Sequence, residues 1–163
     1  MGFMSTPRWL TDEEQVFWRL LLSTVRKVQN TNEQVLHNEH KLTSSEFAVL
    51  VCLSEAPDEM LRLRDLCANL EWDRSRTSHQ VTRMEKRGLV AKSKCSGDAR
   101  GIHISLSAEG KKRLVEAAPT HVNTVRSLIF DTITPELMAA VEIYLKNIQD
   151  QDLSAPEIDS PAV

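Results

Sequence analysis

The sequence predicts a mainly α-helical chain with a small β-hairpin near its middle and long helices at both ends. Three observations carry this. Apolar residues recur at helical spacing from Val16 to about Leu36 and again from Leu114 to Ile148. A polar, basic stretch from Asp73 to Arg87 has the form of a capped helix. Behind it, Leu89-Val90 and the alternating Ile102, Ile104 and Leu106 read as two extended runs around a basic tip, Lys92 to Arg100.

In order, Thr11-Asp12-Glu13-Glu14 is a capping box that opens a long helix. Its apolar positions Phe17, Leu21, Val25 and Val28, with Val16 and Leu20 beside them, span more than one face, so the helix needs more than one neighbour. Trp9 and Trp18 are expected in its core. Thr43-Ser44-Ser45-Glu46 is a second capping box, before a helix with Phe47, Val49, Leu50 and Leu53 that ends ahead of Pro57-Asp58. Leu61 to Leu63 alternates as a short strand, and Asp65 to Leu70 forms a short helix with Leu66, Cys67 and Leu70 inward. Asn69 to Asp73 is the turn into the basic helix.

Asp73 can cap that helix by accepting from its first free N–H groups. Thr77, Val81 and Met84 mark the inward face. Arg74, Ser75, Arg76, Ser78, His79, Thr82 and Arg83 fill the other faces and are of the types that donate to base edges and phosphates. Gly88 stops the helix where a left-handed residue costs little. Ser107 caps a further long helix with Leu114, Ala117, Ala118, Val122, Val125 and Ile129 on one side; Pro119 inside it should bend it. Thr134-Pro135 is an N-cap with proline at the first helical position, before Leu137, Val141, Tyr144, Leu145 and Ile148. The acidic tail, 150–163, is expected to be disordered.

A capped basic helix followed by a basic two-stranded ribbon is the plan of a winged helix-turn-helix. The fold class is therefore mainly α with a small β wing, a winged helix-turn-helix plus long terminal dimerisation helices. The segment resembles the DNA-binding domain of the MarR family (multiple-antibiotic-resistance regulators). The resemblance rests on Asp73-Arg74-Ser75, on Arg83 to Val90 as R-x-x-x-R-G-L-V, on Asp98-Ala99-Arg100, and on Leu106-Ser107-Ala108-Glu109-Gly110. It is specific over about forty residues and weaker over roughly residues 9 to 149. The chain departs from the family pattern at Glu71, where glycine is usual, and at Arg64, where a Ser or Thr cap is usual.

The net charge of −3 is unusual for a nucleic-acid binder, but its distribution is uneven. Arg62 to Arg113 holds thirteen Lys/Arg against six Asp/Glu, a local +7, and the remainder holds seven against seventeen. Binding follows the local field, because exposed charges are screened beyond about 8–10 Å. The bland alternative is a solvated charged surface. No run of eighteen apolar residues is present, so no membrane partner is expected. The start lacks a basic and then apolar leader, so no signal peptide is expected. Three cysteines without framework spacing fit a reducing cytosol, and a cytoplasmic location is expected. His37 and His40 are three apart but lack a matching ligand set, so neither metal nor cofactor is expected. No nucleophile, phosphate-loop or zinc-protease motif occurs, so the chain is not expected to be an enzyme.

The expected division is a dimerisation helix at 9–40, the winged helix-turn-helix at 43–106, dimerisation helices at 107–149 and a tail at 150–163. Arg76 is the best candidate for paired bonds to guanine, Arg83 for the DNA backbone, and Lys92 and Lys94 for phosphates. The resemblance implies that Arg100 enters the minor groove with Asp98 orienting it, that the terminal helices intertwine in a homodimer, and that the operator is pseudo-palindromic. It also implies an effector pocket between those helices and the winged helix, with Trp18, Phe47 and His121 as candidate lining and small aromatic or lipophilic acids as the usual effectors. The function this resemblance implies is a sequence-specific DNA-binding transcriptional regulator, a repressor released by such an effector. Two alternatives stand beside it: a winged helix used for protein contact, and a thiol-responsive regulator acting through Cys95, whose pKa the adjacent Lys94 would lower. Cys52 and Cys67 lie on apolar faces and read as core.

Overall fold

The computed structural model of the chain describes residues 8–95 and 98–151, with residues 95 and 98–100 given by backbone alone. The expected disorder of the tail from 152 onward lies outside the described residues. The long helix α1 runs Asp12–His40 and is followed by α2, Ser44–Ser54. Both capping boxes form. Thr11 Oγ1 accepts from the Glu14 N–H at 3.2 Å and Glu14 Oε2 accepts from the Thr11 N–H at 2.8 Å. Thr43 and Glu46 repeat the exchange at 3.1 and 2.9 Å.

A short turn at Pro57–Glu59 leads to strand β1, Met60–Arg62, and helix α3, Leu63–Leu70. The cap position of α3 is Arg62 rather than the expected Arg64, and no side chain bonds there. The helix starts two residues early because β1 ends directly into it. Glu71 does adopt the left-handed conformation, with φ 53°, that glycine usually supplies. That costs about 1 kcal/mol, and the N–H groups of Glu71 and Trp72 bond back to Ala68 and Cys67 as the turn closes.

Helix α4, Arg74–Lys86, ends at Gly88 with φ +71°. Strands β2, Val90–Cys95, and β3, Asp98–Leu106, pair antiparallel with Val90 opposite Leu106. β1 joins the far side of β3, Leu61 opposite Ile104, so the sheet order is β1-β3-β2. Helix α5, Ala108–Val125, continues through Pro119 and into a π-turn at Arg126–Phe130; α6 follows at Pro135–Gln149.

The core sits in the middle of the chain. Leu42, Val49, Leu50, Leu53, Leu66, Met84 and Ile104 are fully buried, each contributing about 1.5–3 kcal/mol of apolar burial. Two polar connections lock helices around it. The Arg87 guanidinium, just past α4, donates to buried Glu46 at 2.5 and 2.6 Å and to the Lys41 carbonyl at 2.7 Å. Arg113 on α5 donates to the His40 carbonyl at 2.9 Å. At the start of α5, Ser107 Oγ donates to the Gly88 carbonyl at 2.6 Å and accepts from the Gly110 N–H at 2.9 Å, and the Ser107 N–H reaches the Leu89 carbonyl.

The ends of the chain differ from expectation. Trp9 and Trp18 are not core: they are 83% and 49% exposed, and Val16, Phe17 and Leu20 beside them are exposed as well. Leu36 is the one fully buried residue of α1, and α6 has none. The two helices meet in an edge-to-face contact between Phe17 and Tyr144, with ring centroids 6.3 Å apart. Among the described residues of one copy, no element covers these faces.

Candidate nucleic-acid interface

Asp73 caps α4 as its sequence position suggests, accepting from the Arg76 N–H at 2.8 Å. The inward face is Thr77, Gln80, Val81 and Met84, all buried. Gln80 was not legible as inward because its type is usually exposed; its amide oxygen accepts from Arg83, which gives the buried polar group a partner. Arg74, Ser75, Arg76, Ser78, His79 and Arg83 are exposed together, with Thr82 half-buried at their edge. Arg76 rests over the Trp72 ring, its Cζ 4.2 Å from the centroid. Stacking fixes the guanidinium plane while leaving its in-plane N–H groups open.

The wing is tied to this helix. Lys92 on β2 donates to Thr82 Oγ1 at 3.2 Å and pairs with Glu85 at 2.9 Å. Lys92, read from sequence as a phosphate contact, is thus engaged with α4, whereas Lys94 is exposed. Asp98 and Arg100 are positioned by backbone only, in β3. A second basic feature was missed by sequence reading. Arg62, Arg64 and Arg74 line a depression of about 380 Å³ with Gly101 and Ile102, where α3, α4 and the wing base converge. Their place in the basic stretch was visible; their convergence depends on β1 pairing with β3.

Above the winged helix lies a larger cavity of about 1090 Å³ between α1, α2 and α5. Phe47 and His121 both line it, with ring centroids 4.6 Å apart. Burial pushes the His121 pKa below its ordinary value. Trp18 does not line it; that expectation is corrected. It lies ten residues before Val28, the first residue of α1 on the cavity wall, a separation of about 15 Å along a helix.

No helix among the described residues is long and apolar enough to cross a membrane, and they hold no cluster of three or more His, Cys, Asp or Glu suited to a metal.

A capped helix with one basic face, tethered to a β wing, defines a winged helix-turn-helix of the DNA-binding kind. A sequence model of the MarR family matches residues 42–102. Two solved structures from Streptomyces coelicolor are similar over nearly the whole chain. AbsC, a MarR family transcriptional regulator, is 36% identical, with a TM-score of 0.84 over 88% of this chain and 96% of its own. Sco3205, a MarR family regulator solved in complex with DNA, is 34% identical, with a TM-score of 0.85 over 91% and 95%. Bordetella bronchiseptica BpsR, whose DNA binding is regulated by 6-hydroxynicotinic acid, shares the fold at 24% identity, with a TM-score of 0.75 over 88% and 99%. No curated sequence matches the chain. The chain belongs to the MarR family of DNA-binding transcriptional regulators.

Proposed function

We propose that the chain works in the cytoplasm as a homodimer that binds a pseudo-palindromic operator, represses by occluding the promoter, and is released when a small aromatic or lipophilic effector enters the cavity beside Phe47 and His121. The observation that carries the DNA reading is the shared exposure of Arg74, Ser75, Arg76, Ser78, His79 and Arg83 on one capped helix. Arg76 reads a base edge in the major groove, Arg83 positions the backbone, and Lys94 meets phosphate. Lys92 supports them by holding the wing to Thr82 and Glu85. Arg100, with Asp98, serves the minor groove. Arg62 and Arg64 add phosphate contacts beside Arg74.

Motif selection on random duplex DNA, with salt titration, tests this. Loss of a paired base contact costs about 1–3 kcal/mol and relaxes preference at that base. Arg76→Ala is therefore expected to flatten one symmetric pair of positions in the selected motif. Arg100→Ala is expected to weaken all sequences more evenly and to lower the salt slope by about one ion per site. If Arg100→Ala rewrites the core motif and Arg76→Ala leaves it intact, the roles are reversed. A chain that selects no motif and is not retained on heparin would act by protein contact instead.

A thiol switch is not part of this reading. Cys52 and Cys67 are half-buried and pack against the core. Cys95→Ser is expected to keep operator binding, with peroxide acting alike on variant and wild type. Peroxide release of the wild type alone would establish Cys95 as a redox sensor.

A further inference from the structure

The cavity beside α2 carries chemical information about its occupant. Three buried polar atoms, Asn32 Oδ1, Ser44 Oγ and His121 Nδ1, have no hydrogen-bond partner among the described residues. All three residues line this one cavity. Buried polar atoms left unpaired are few in a native protein and costly. The three residues share the wall of one space, lined otherwise by Phe47, Val51 and other apolar side chains, and a partly polar molecule that parts this wall would complete them.

The charges there select among such molecules. Glu33 and Glu55 both line the cavity, and no lysine or arginine is among its described lining residues. The start of α2, where free N–H groups would otherwise attract an anion, is already occupied: Ser44 N–H donates to Glu33 Oε2 at 2.7 Å and Thr43 N–H donates to Glu46 at 2.9 Å. His121 adds no positive charge near neutrality, because its burial favours the uncharged ring. An entering carboxylate would lose hydration, find no cation and face two carboxylates. A hydroxyl or amine would instead suit the unpaired Asn32, Ser44 and His121 atoms once the wall yields to it, and an ammonium would be attracted by Glu33 and Glu55.

We infer that the cavity takes an uncharged or amine-bearing aromatic molecule and discriminates against aromatic carboxylates. This rests on the reading of the cavity as an effector site, and it reverses the acidic effector class expected from the family resemblance. Three probes with a common ring test it by calorimetry on the full-length chain without DNA: 2-naphthol, 2-naphthylmethylamine and 2-naphthoate. The first two are expected to bind at least about tenfold more tightly than the carboxylate. Glu33→Gln retains an oxygen to accept from the Ser44 N–H and should shrink the amine-over-carboxylate ratio by about tenfold; Glu55→Gln, at an exposed position, should act in the same direction. Ala48→Phe, which fills the cavity from its wall, should abolish binding of all three probes.

Equal or tighter binding of 2-naphthoate overturns the inference. So does failure of all three to bind the wild type, or binding that survives Ala48→Phe in a variant with an unchanged melting profile. Operator binding is titrated on the same preparations. Ligand selectivity without operator release removes the proposed release mechanism and leaves the ligand class standing. Operator release by 2-naphthoate alone removes the ligand class and keeps the release mechanism.

Discussion

Gly110→Ala is expected to destabilise the chain by about 3 kcal/mol or more, well beyond an ordinary surface change. A Cβ at Gly110 would lie 2.0 Å from the Leu89 carbonyl oxygen and 3.0 Å from its carbon, with Leu106 Cδ1 at 3.1 Å. The obstacle is backbone, and that carbonyl is already held by the Ser107 N–H. Relief requires α5 to lift from the start of β2, which breaks the Ser107 cap as well. Gly88→Ala is the control. Nothing lies within 4 Å of its Cβ position, so only its φ of +71° opposes a side chain, at about 1 kcal/mol. Urea melts followed by circular dichroism separate the two. Equal losses would mean that the approach of α5 to Leu89 yields easily.

Removing α6 by deleting residues 135–163 should reduce operator affinity by roughly 10²–10⁴-fold, the gain that two linked half-site contacts provide over one. Leu137, Met138, Val141, Ile143, Tyr144, Leu145 and Ile148 are all exposed in the single chain, as are Trp9, Val16, Phe17, Trp18 and Leu20. Apolar surface on that scale marks an interface, and a two-fold dimer is the commonest way to bury it. Light scattering should find the truncated chain monomeric or aggregated. Leu137→Glu with Val141→Glu, which keeps α6 but places charge in its apolar face, should weaken self-association and operator binding together. A well-behaved truncated monomer with full operator affinity would defeat the dimer reading.

Local signals explain most of what the sequence disclosed. Thr11, Thr43, Asp73, Ser107 and Thr134 each cap the helix expected of them, because a cap needs only residues within one turn. The exposed basic face of α4 follows from the same short-range periodicity. Gln80 escaped because burial of an amide depends on a partner, Arg83, that its residue type does not announce. The engagement of Lys92 with Thr82 and Glu85, and the gathering of Arg62, Arg64 and Arg74, required the pairing of the strands. Trp9 and Trp18 were misread because hydrophobicity marks a residue for burial without saying whose surface will bury it. The cavity was legible at Phe47 and His121 but not at Asn32 or Ser44, whose significance lies in the bonds they lack within the chain.

The contacts of Arg87 have a mechanical consequence. One guanidinium joins the end of α4 to Glu46 and to the residue that closes α1. α1 has 29 residues and is about 43 Å long at 1.5 Å per residue. In a dimer held at the far end of that helix, it would be a lever arm with Arg87 as the pin at its tip. A swing of roughly 5° would carry the pinned end through about 4 Å, slightly more than the 3.4 Å step between stacked bases. Two recognition helices must meet successive major grooves about 34 Å apart. A wedge acting on the side of the lever would therefore need only a small displacement to put both helices out of register with the DNA.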